Sequence, residues 1–168
     1  MNKTASDSEW TLLPDDNKEI AKLREHCRRM VRRRAAISAG VSAVPIPGVD
    51  VLSDLSLFKM LVDDVNKAFG LSPEQIDRLA PQHKLIAYQV AVSMGGVMVG
   101  KFVTKELIIM LFKRTGMKMF AKSAARVVPI AGQIASAAIG FTMFRKLGYE
   151  HVEACARVAG ELIDLKPA

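Results

Sequence analysis

Few residues in this 168-residue chain have types and spacing that could support chemistry. Gly95 to Phe102 nearly spells a phosphate-binding loop, with glycines at 95, 96 and 100 and a lysine at 101. Such a loop needs a Ser or Thr after the lysine to hold Mg²⁺, whereas Phe102 carries no hydroxyl and the flanking residues are apolar. We therefore interpret Gly96 and Gly100, spaced as Gly-x-x-x-Gly, as points of close helix packing and as a candidate surface for self-association.

Two further pairs have side chains that could act together. His151 and Cys155 are four residues apart and could face one metal ion, but two ligands fall short of the three or four that zinc takes. Asp50 and Asp54 have the same spacing, and at the start of a helix they more simply satisfy free backbone N–H groups. The sequence therefore predicts a protein that is not an enzyme and that has no metal site and no cofactor.

The composition indicates helices as the elements that position these residues. Hydrophobic residues make up 50% of the chain and aromatic residues only 6%, and the two cysteines form no disulfide framework. Apolar spacing predicts helices over 17–36, 49–69, 117–127 and 149–165, and a further helical run that ends at Gly148. It also predicts a short helical turn after Ser72, and either one helix or a broken pair of helices over 82–115. We expect an all-α fold, a compact multi-helix bundle in a single domain over 17–166, preceded by a disordered acidic tail over 1–16.

Proline and glycine divide the apolar stretches into hairpins. The sequence Val-Pro-Ile-Pro-Gly at 44–48 is echoed as Val-Pro-Ile-Ala-Gly at 128–132. Each copy lies between two apolar runs, where proline prevents a continuous helix. The predicted structural breaks are Pro45, Pro47, Gly48, Pro129 and Gly132.

These two segments, together with residues shortly after the first of them, resemble a known family. Residues 43–54, then 68–72 and 76–80, resemble the C-terminal helical domain of the immunity-related (interferon-inducible) GTPases, and residues 127–132 resemble the second apolar hairpin of that domain. The same arrangement is similar to bacterial inner-membrane helical families of unknown function. The resemblance covers roughly residues 35–160 and implies an all-helical fold that associates with intracellular membranes. It implies no GTPase activity, because the chain has no GTPase domain.

The charge pattern indicates an anionic partner. The net charge is +7, and cations border the apolar runs. An anionic bilayer attracts such cations, each contributing on the order of 1 kcal/mol. The predicted membrane-binding residues are Arg28, Arg29, Arg32, Arg33, Arg34, Lys113, Arg114, Lys118 and Lys122. A basic face that is simply solvated is the alternative, and nucleic acid is a less favoured partner because the neighbouring segments are apolar rather than aromatic.

The N-terminal tail contains the only tryptophan. Asp7, Glu9, Trp10 and Leu13 form an acidic stretch followed by aromatic-x-x-aliphatic. This pattern looks like the short motif that binds ubiquitin-like autophagy modifiers by adding a strand to a sheet edge. Trp10 and Leu13 would then fill two pockets. The alternative is that Trp10 and Leu12 fold back on the helical body or have no role.

The sequence therefore predicts a non-enzymatic, membrane-associated helical adaptor that recruits a partner through its tail. We expect it in the cytoplasm, peripheral on or inserted in an intracellular membrane, with peripheral docking favoured over a true span. A helical partner of a GTPase in trans is the first alternative, and a basic nucleic-acid-binding protein is the second.

Overall fold

The computed structural model describes residues 12–42, 50–123 and 133–166, without the side chains at 41–42, 50–54, 119–123 and 133–137. Over these residues the prediction of an all-α bundle is confirmed. The helices are α1 (Asn17–Ser42), α2 (Asp50–Ala68), the single turn α3 (Pro73–Ile76), α4 (Pro81–Ser93), α5 (Lys105–Ser123) and α6 (Gln133–Ile163). The predicted breaks Pro45, Pro47, Gly48, Pro129 and Gly132 lie outside the described residues, between helices that end and begin on either side of them.

The start of α1 is fixed by a side-chain cap. The carboxylate of Asp16 accepts a hydrogen bond from the backbone N–H of Glu19 at 2.7 Å, and Glu19 accepts one from the backbone of Asp15 at 2.7 Å. These bonds satisfy N–H groups that the first helical turn leaves free. The helix therefore begins where the Asp16 and Glu19 spacing predicts, and it continues six residues beyond the predicted end at residue 36.

The connection from α2 to α3 follows two sequence signals. Gly70 has a φ of 72°. The N–H of Leu71 donates to the carbonyl of Asn66 at 2.8 Å, and the N–H of Gly70 donates to the carbonyl of Lys67 at 3.2 Å. This is a Schellman end, for which glycine is favoured because it reaches positive φ without strain. Ser72 and Gln75 then form the reciprocal capping box that starts α3.

The stretch 82–115 proves to be a broken pair of helices rather than one. Helix α4 ends at Ser93, and the turns that lead to α5 contain Gly95 and Gly100 with φ of 68° and 66°. A glycine at positive φ allows the chain to leave the helical path, which side chains would oppose. This break places the loop between α4 and α5 beside α6.

Helix α6 is the element on which the bundle is built. Helices α1, α2, α4 and α5 all pack against it, with α1 forming the most extensive interface. The fully buried ring of Phe58 on α2 meets Phe112 on α5 and Phe144 on α6 edge to face, with centroids 5.2 and 5.0 Å apart. This geometry suits the charge distribution of aromatic rings and joins three helices at one point.

Gly148 is a contact point within α6, and the prediction that it ends a helix is wrong. A Cβ atom on Gly148 would lie 2.7 Å from Cγ1 of Val31 on α1 and 3.2 Å from Leu61 on α2. The missing side chain therefore allows three helices to approach closely, and this packing outweighs the low helix propensity of glycine. Gly116 was likewise predicted to separate two helices, but it lies inside α5.

We expect Gly148→Ala to destabilise the protein and Gly160→Ala to stabilise it. The first substitution forces a methyl group against the stiff, buried Val31, which costs about 1–3 kcal/mol. The second adds a methyl group with no atom within 4 Å, in the same helix, and gains about 0.5–1 kcal/mol of helix propensity. Urea unfolding of both variants measures this difference, and equal stabilities would contradict a close approach at Gly148.

Candidate functional site

The arginines of α1 lie along the helix that was predicted to bind membranes, and several of them face carboxylates of their own chain. Arg24 lies 2.5 Å and Arg28 3.4 Å from the carboxylate of Glu153 on α6. The guanidinium of Arg28 also lies over the ring of Tyr149, 5.1 Å from its centroid. These ion pairs join α1 to α6, and the side chains of Arg24 and Arg28 stay 46% and 37% exposed.

The rest of the α1 arginines follow the same trend. Arg32 and Arg29 lie 3.4 and 3.9 Å from Glu25, and Arg34 pairs with Asp64 on α2 at 2.5 Å. Of the five predicted α1 residues, only Arg33 is exposed with no carboxylate partner among the described residues. Arg28, Arg29, Arg32 and Arg34 thus each face a carboxylate of the chain, and their role in membrane binding stays a prediction. Helix packing brings Glu153 and Asp64 to Arg28 and Arg34, whereas Glu25, which faces Arg29 and Arg32, lies on α1 itself.

The cations of α5 have no such partners. Lys113, Arg114 and Lys118 are exposed, and no carboxylate of the described residues lies within ion-pair distance of them. The side chain of Lys122, the fourth predicted residue here, lies outside the described part. Helix α5 therefore presents three of its predicted membrane-binding cations without a carboxylate partner among the described residues, whereas α1 presents one, Arg33.

Two exposed methionines accompany these cations. Met110 is 54% and Met117 68% exposed, and their seven-residue spacing places them on one side of α5. Lys113 and Arg114 lie three or four residues from each methionine, so they share that side. We call Met110, Lys113, Arg114, Met117 and Lys118 the α5 face. A helix surface that combines apolar side chains with cations fits the boundary between lipid headgroups and acyl chains.

A second set of polar residues is buried between α2 and α6. The side-chain amide of Asn66 donates to the carbonyl of Met98 at 3.0 Å, and the thiol of Cys155 donates to Oδ1 of Asn66 at 3.4 Å. Nε2 of His151 lies 3.6 Å from the same sulfur, and all three side chains are buried. We call Asn66, His151 and Cys155 the buried polar cluster.

The residue types of this cluster are those of a cysteine nucleophile with its base, but the environment opposes that chemistry. Burial raises the pKa of the Cys155 thiol well above its usual value, and it lowers the pKa of His151 to about 4, which the backbone of Val62 opposes to a smaller extent. The reactive form of cysteine is the thiolate, which this site disfavours. The cluster therefore acts as a set of buried hydrogen bonds that fixes the loop at Met98 to α2 and α6.

The cluster contains the one residue of this site that the sequence analysis missed. The spacing of His151 and Cys155 singled out both as a pair, whereas Asn66 lies 89 residues from Cys155 in the chain and carries no local signal. Among the described residues no group of three or more potential ligands could hold a metal ion.

The structure describes the N-terminal tail from residue 12 onward, within the range 1–16 that was predicted to be disordered. Of the proposed motif, Asp7, Glu9 and Trp10 lie outside the described residues, but Leu13 is 6% exposed and belongs to the core. The backbone of Leu12 and Leu13 packs against Gly70, where any side chain would collide with it. The expectation that residues 12–16 are disordered, with Leu13 free to fill a partner's pocket, is corrected by this packing.

Gly96 and Gly100 do not form a surface for self-association. A Cβ on Gly96 would lie 2.8 Å from Cβ of Ala154, and one on Gly100 would collide with the side chain of Ile76. Both glycines are buried in turns and are used for packing within the chain. The Gly-x-x-x-Gly interpretation assumed a helix, and the chain is not helical there.

Comparison with known proteins adds no relative. The chain matches no protein-family model, no curated protein and no solved structure at a significant level. Within the described residues, the helices lack the combination of length and apolar character that a membrane crossing requires.

We expect Leu13→Ala to lower the free energy of unfolding by about 2–3 kcal/mol, because it leaves a cavity in the core. The matched control is Leu165→Ala near the other end of the described chain, where leucine is 43% exposed and the cost is well under about 1 kcal/mol. Chemical denaturation measures both values. Equal, small effects would show that residues 12–16 do not pack as described.

Stability should fall as the pH is lowered from about 6.5 to about 4. In this window the unfolded chain binds a proton at His151, whereas the folded chain, with its pKa near 4, does not. Protonation therefore favours unfolding, by about 3 kcal/mol over the window. His151→Gln removes this part of the pH dependence, and His26→Gln, at an exposed histidine, leaves it unchanged. Identical pH profiles for His151→Gln and wild type would contradict the assignment.

Proposed function

We propose that this protein is a non-enzymatic helical module that docks peripherally on an anionic membrane through the α5 face. The observation that carries the proposal is the combination of exposed methionines with unpaired cations on one side of α5. Anionic headgroups attract the cations, and the methionine side chains enter the boundary between headgroups and acyl chains. The resemblance of the sequence to membrane-associated helical domains points in the same direction.

The charge balance of the bundle favours α5 over α1 as the docking surface. Arg28 and Arg34 would share their positive charge between a lipid phosphate and the carboxylates of Glu153 and Asp64. Lys113, Arg114 and Lys118 have no described carboxylate to leave, so their attraction to an anionic surface is not offset. Binding of an anionic membrane through α5 therefore costs less free energy than binding through α1.

The expected strength of this docking is modest. Each cation near an anionic surface contributes about 1 kcal/mol, and a buried methionine contributes about 1.5–3 kcal/mol at most. A few such terms give a reversible association comparable to that of one myristoyl chain, whose membrane association constant is about 10⁴ M⁻¹. We expect the binding to weaken as salt screens the charges.

The adaptor part of this proposal is recruitment of a ubiquitin-like autophagy modifier through Trp10 and Leu13. The burial of Leu13 adds a free-energy cost to that recruitment. Releasing Leu13 from the core costs about 1.5–3 kcal/mol, which weakens binding by roughly 10- to 100-fold. A tail partner would therefore bind weakly to the free protein unless a second contact offsets this cost.

Lys113→Glu should weaken association with phosphatidylcholine vesicles that contain phosphatidylserine by roughly 30-fold. Charge reversal removes one attraction and adds one repulsion, about 2 kcal/mol in total. Flotation of the full chain with these vesicles at low and physiological salt measures the effect.

The matched control is Arg33→Glu, the same reversal at the unpaired arginine of α1. We expect this variant to retain most of the binding. An equal loss in both variants would show that net charge, and not the α5 face, drives association. Absence of wild-type binding to these vesicles would overturn the proposed function.

A further inference from the structure

A cleft of about 280 Å³ opens beside the α5 face, between three elements of the bundle. The turn after α4 forms one wall with Met94 and Gly96, α5 forms the second, and α6 forms the third. This volume lies just below the range of sites for drug-sized ligands, so it suits a small polar group. The cleft shares Arg114 and Lys118 with the α5 face.

The charged side chains of this cleft are unbalanced. Arg114 and Lys118 on α5 and Lys146 on α6 line it, against a single carboxylate, Glu150. Glu150 lies 3.9 Å from Lys146 and so compensates one of the three cations. Arg114 and Lys118 are four residues apart on one helix, a spacing at which like charges repel. An anion bound in the cleft would balance the positive charge that the carboxylates of the described residues leave uncompensated.

Two buried polar groups contribute to the same walls. Thr115 is 8% and His151 2% exposed, and both line the cleft. Apart from the interaction of the His151 side chain with the backbone of Val62, its buried Nδ1 has no hydrogen-bond partner among the described residues. A buried polar atom without a partner costs about 1–3 kcal/mol, so native proteins rarely retain one unless a water or a ligand meets it. The walls of the cleft thus combine these two polar groups with apolar side chains such as Leu111 and Leu147.

We propose that this cleft binds a phosphate monoester. Its doubly charged phosphate matches the excess of two positive charges, and the planar guanidinium of Arg114 can donate two hydrogen bonds to one phosphate. The group can come from the headgroup of phosphatidic acid or from a soluble phosphate ester. The lipid source deepens the proposed function and rests on it, since the cleft adjoins the α5 face. The soluble source does not depend on it.

Titration of the full chain with glycerol 3-phosphate tests the cleft without a membrane. We expect saturable binding by calorimetry that Lys146→Gln weakens about tenfold, because it removes one of the three positive charges of the cleft and leaves Glu150 uncompensated. Arg145→Gln is the matched control, because it removes the same charge one residue away, where the guanidinium lies over Phe141 and not in the cleft. Lys146 is a surface side chain, 47% exposed, so the variant should fold as wild type does.

Vesicles separate the two sources and the two proposals. Vesicles of phosphatidylcholine with phosphatidic acid are compared with vesicles containing phosphatidylserine at matched surface potential. A preference for phosphatidic acid that Lys146→Gln removes and Arg145→Gln keeps supports the headgroup as ligand. Binding of glycerol 3-phosphate without vesicle binding supports a soluble ligand and overturns only the membrane proposal. Absence of glycerol 3-phosphate binding, together with equal binding to both vesicles, overturns the cleft proposal and leaves membrane docking intact.

Discussion

The close approach of α1 to α6 at Val31 and Gly148 decides which cations of this basic protein remain available to other molecules. Because Gly148 has no side chain, α1 lies directly along α6. Glu153 and Tyr149 of α6 then meet the arginines of α1, and Asp64 of α2 meets another. Five of the six arginines of α1 face a carboxylate, but these five share only three carboxylates, Glu25, Glu153 and Asp64. The exposed cations Lys113, Arg114 and Lys118 of α5 meet no carboxylate of the described residues.

Local signals in the sequence predicted the parts of the fold that depend on neighbouring residues. The cap at Asp16, the Schellman end at Gly70 and the capping box at Ser72 all require groups within a few residues of each other. The predictions for Gly116 and Gly148 were wrong because intrinsic propensity is a weak effect that tertiary packing overrides. Whether a glycine ends a helix or admits a neighbouring helix depends on residues such as Val31, more than 100 positions away.

The candidate site shows the same limit. The α5 cations and the pair His151 and Cys155 were visible as patterns, and so was the positive charge of α1. The pairing of Arg28 with Glu153 and the hydrogen bond from Cys155 to Asn66 join distant segments, so no spacing in the sequence indicates them. Leu13 was assigned to a loose tail for a similar reason, since the site that receives it is formed around Gly70, in the turn after α2. A charged or apolar side chain is available to a partner only if the folded chain places no carboxylate or apolar contact of its own against it.

The α5 face and the cleft next to it form one continuous basic region with two kinds of contact. The face offers methionines and cations to a broad surface, and the cleft offers enclosed polar groups to a single small anion. Arg114 and Lys118 belong to both, so a phosphate held in the cleft would lie beside the surface that meets the lipid.

The central claim is that α5, and not α1, meets the lipid surface. A polarity-sensitive fluorophore on Met117→Cys or on Ile37→Cys tests it directly, because both positions are exposed and both native cysteines are buried. Burial also raises the pKa of Cys27 to about 11, so the introduced thiols react first. With phosphatidylserine vesicles, the account predicts a blue shift at position 117 and none at position 37. A blue shift at position 37 alone would contradict it.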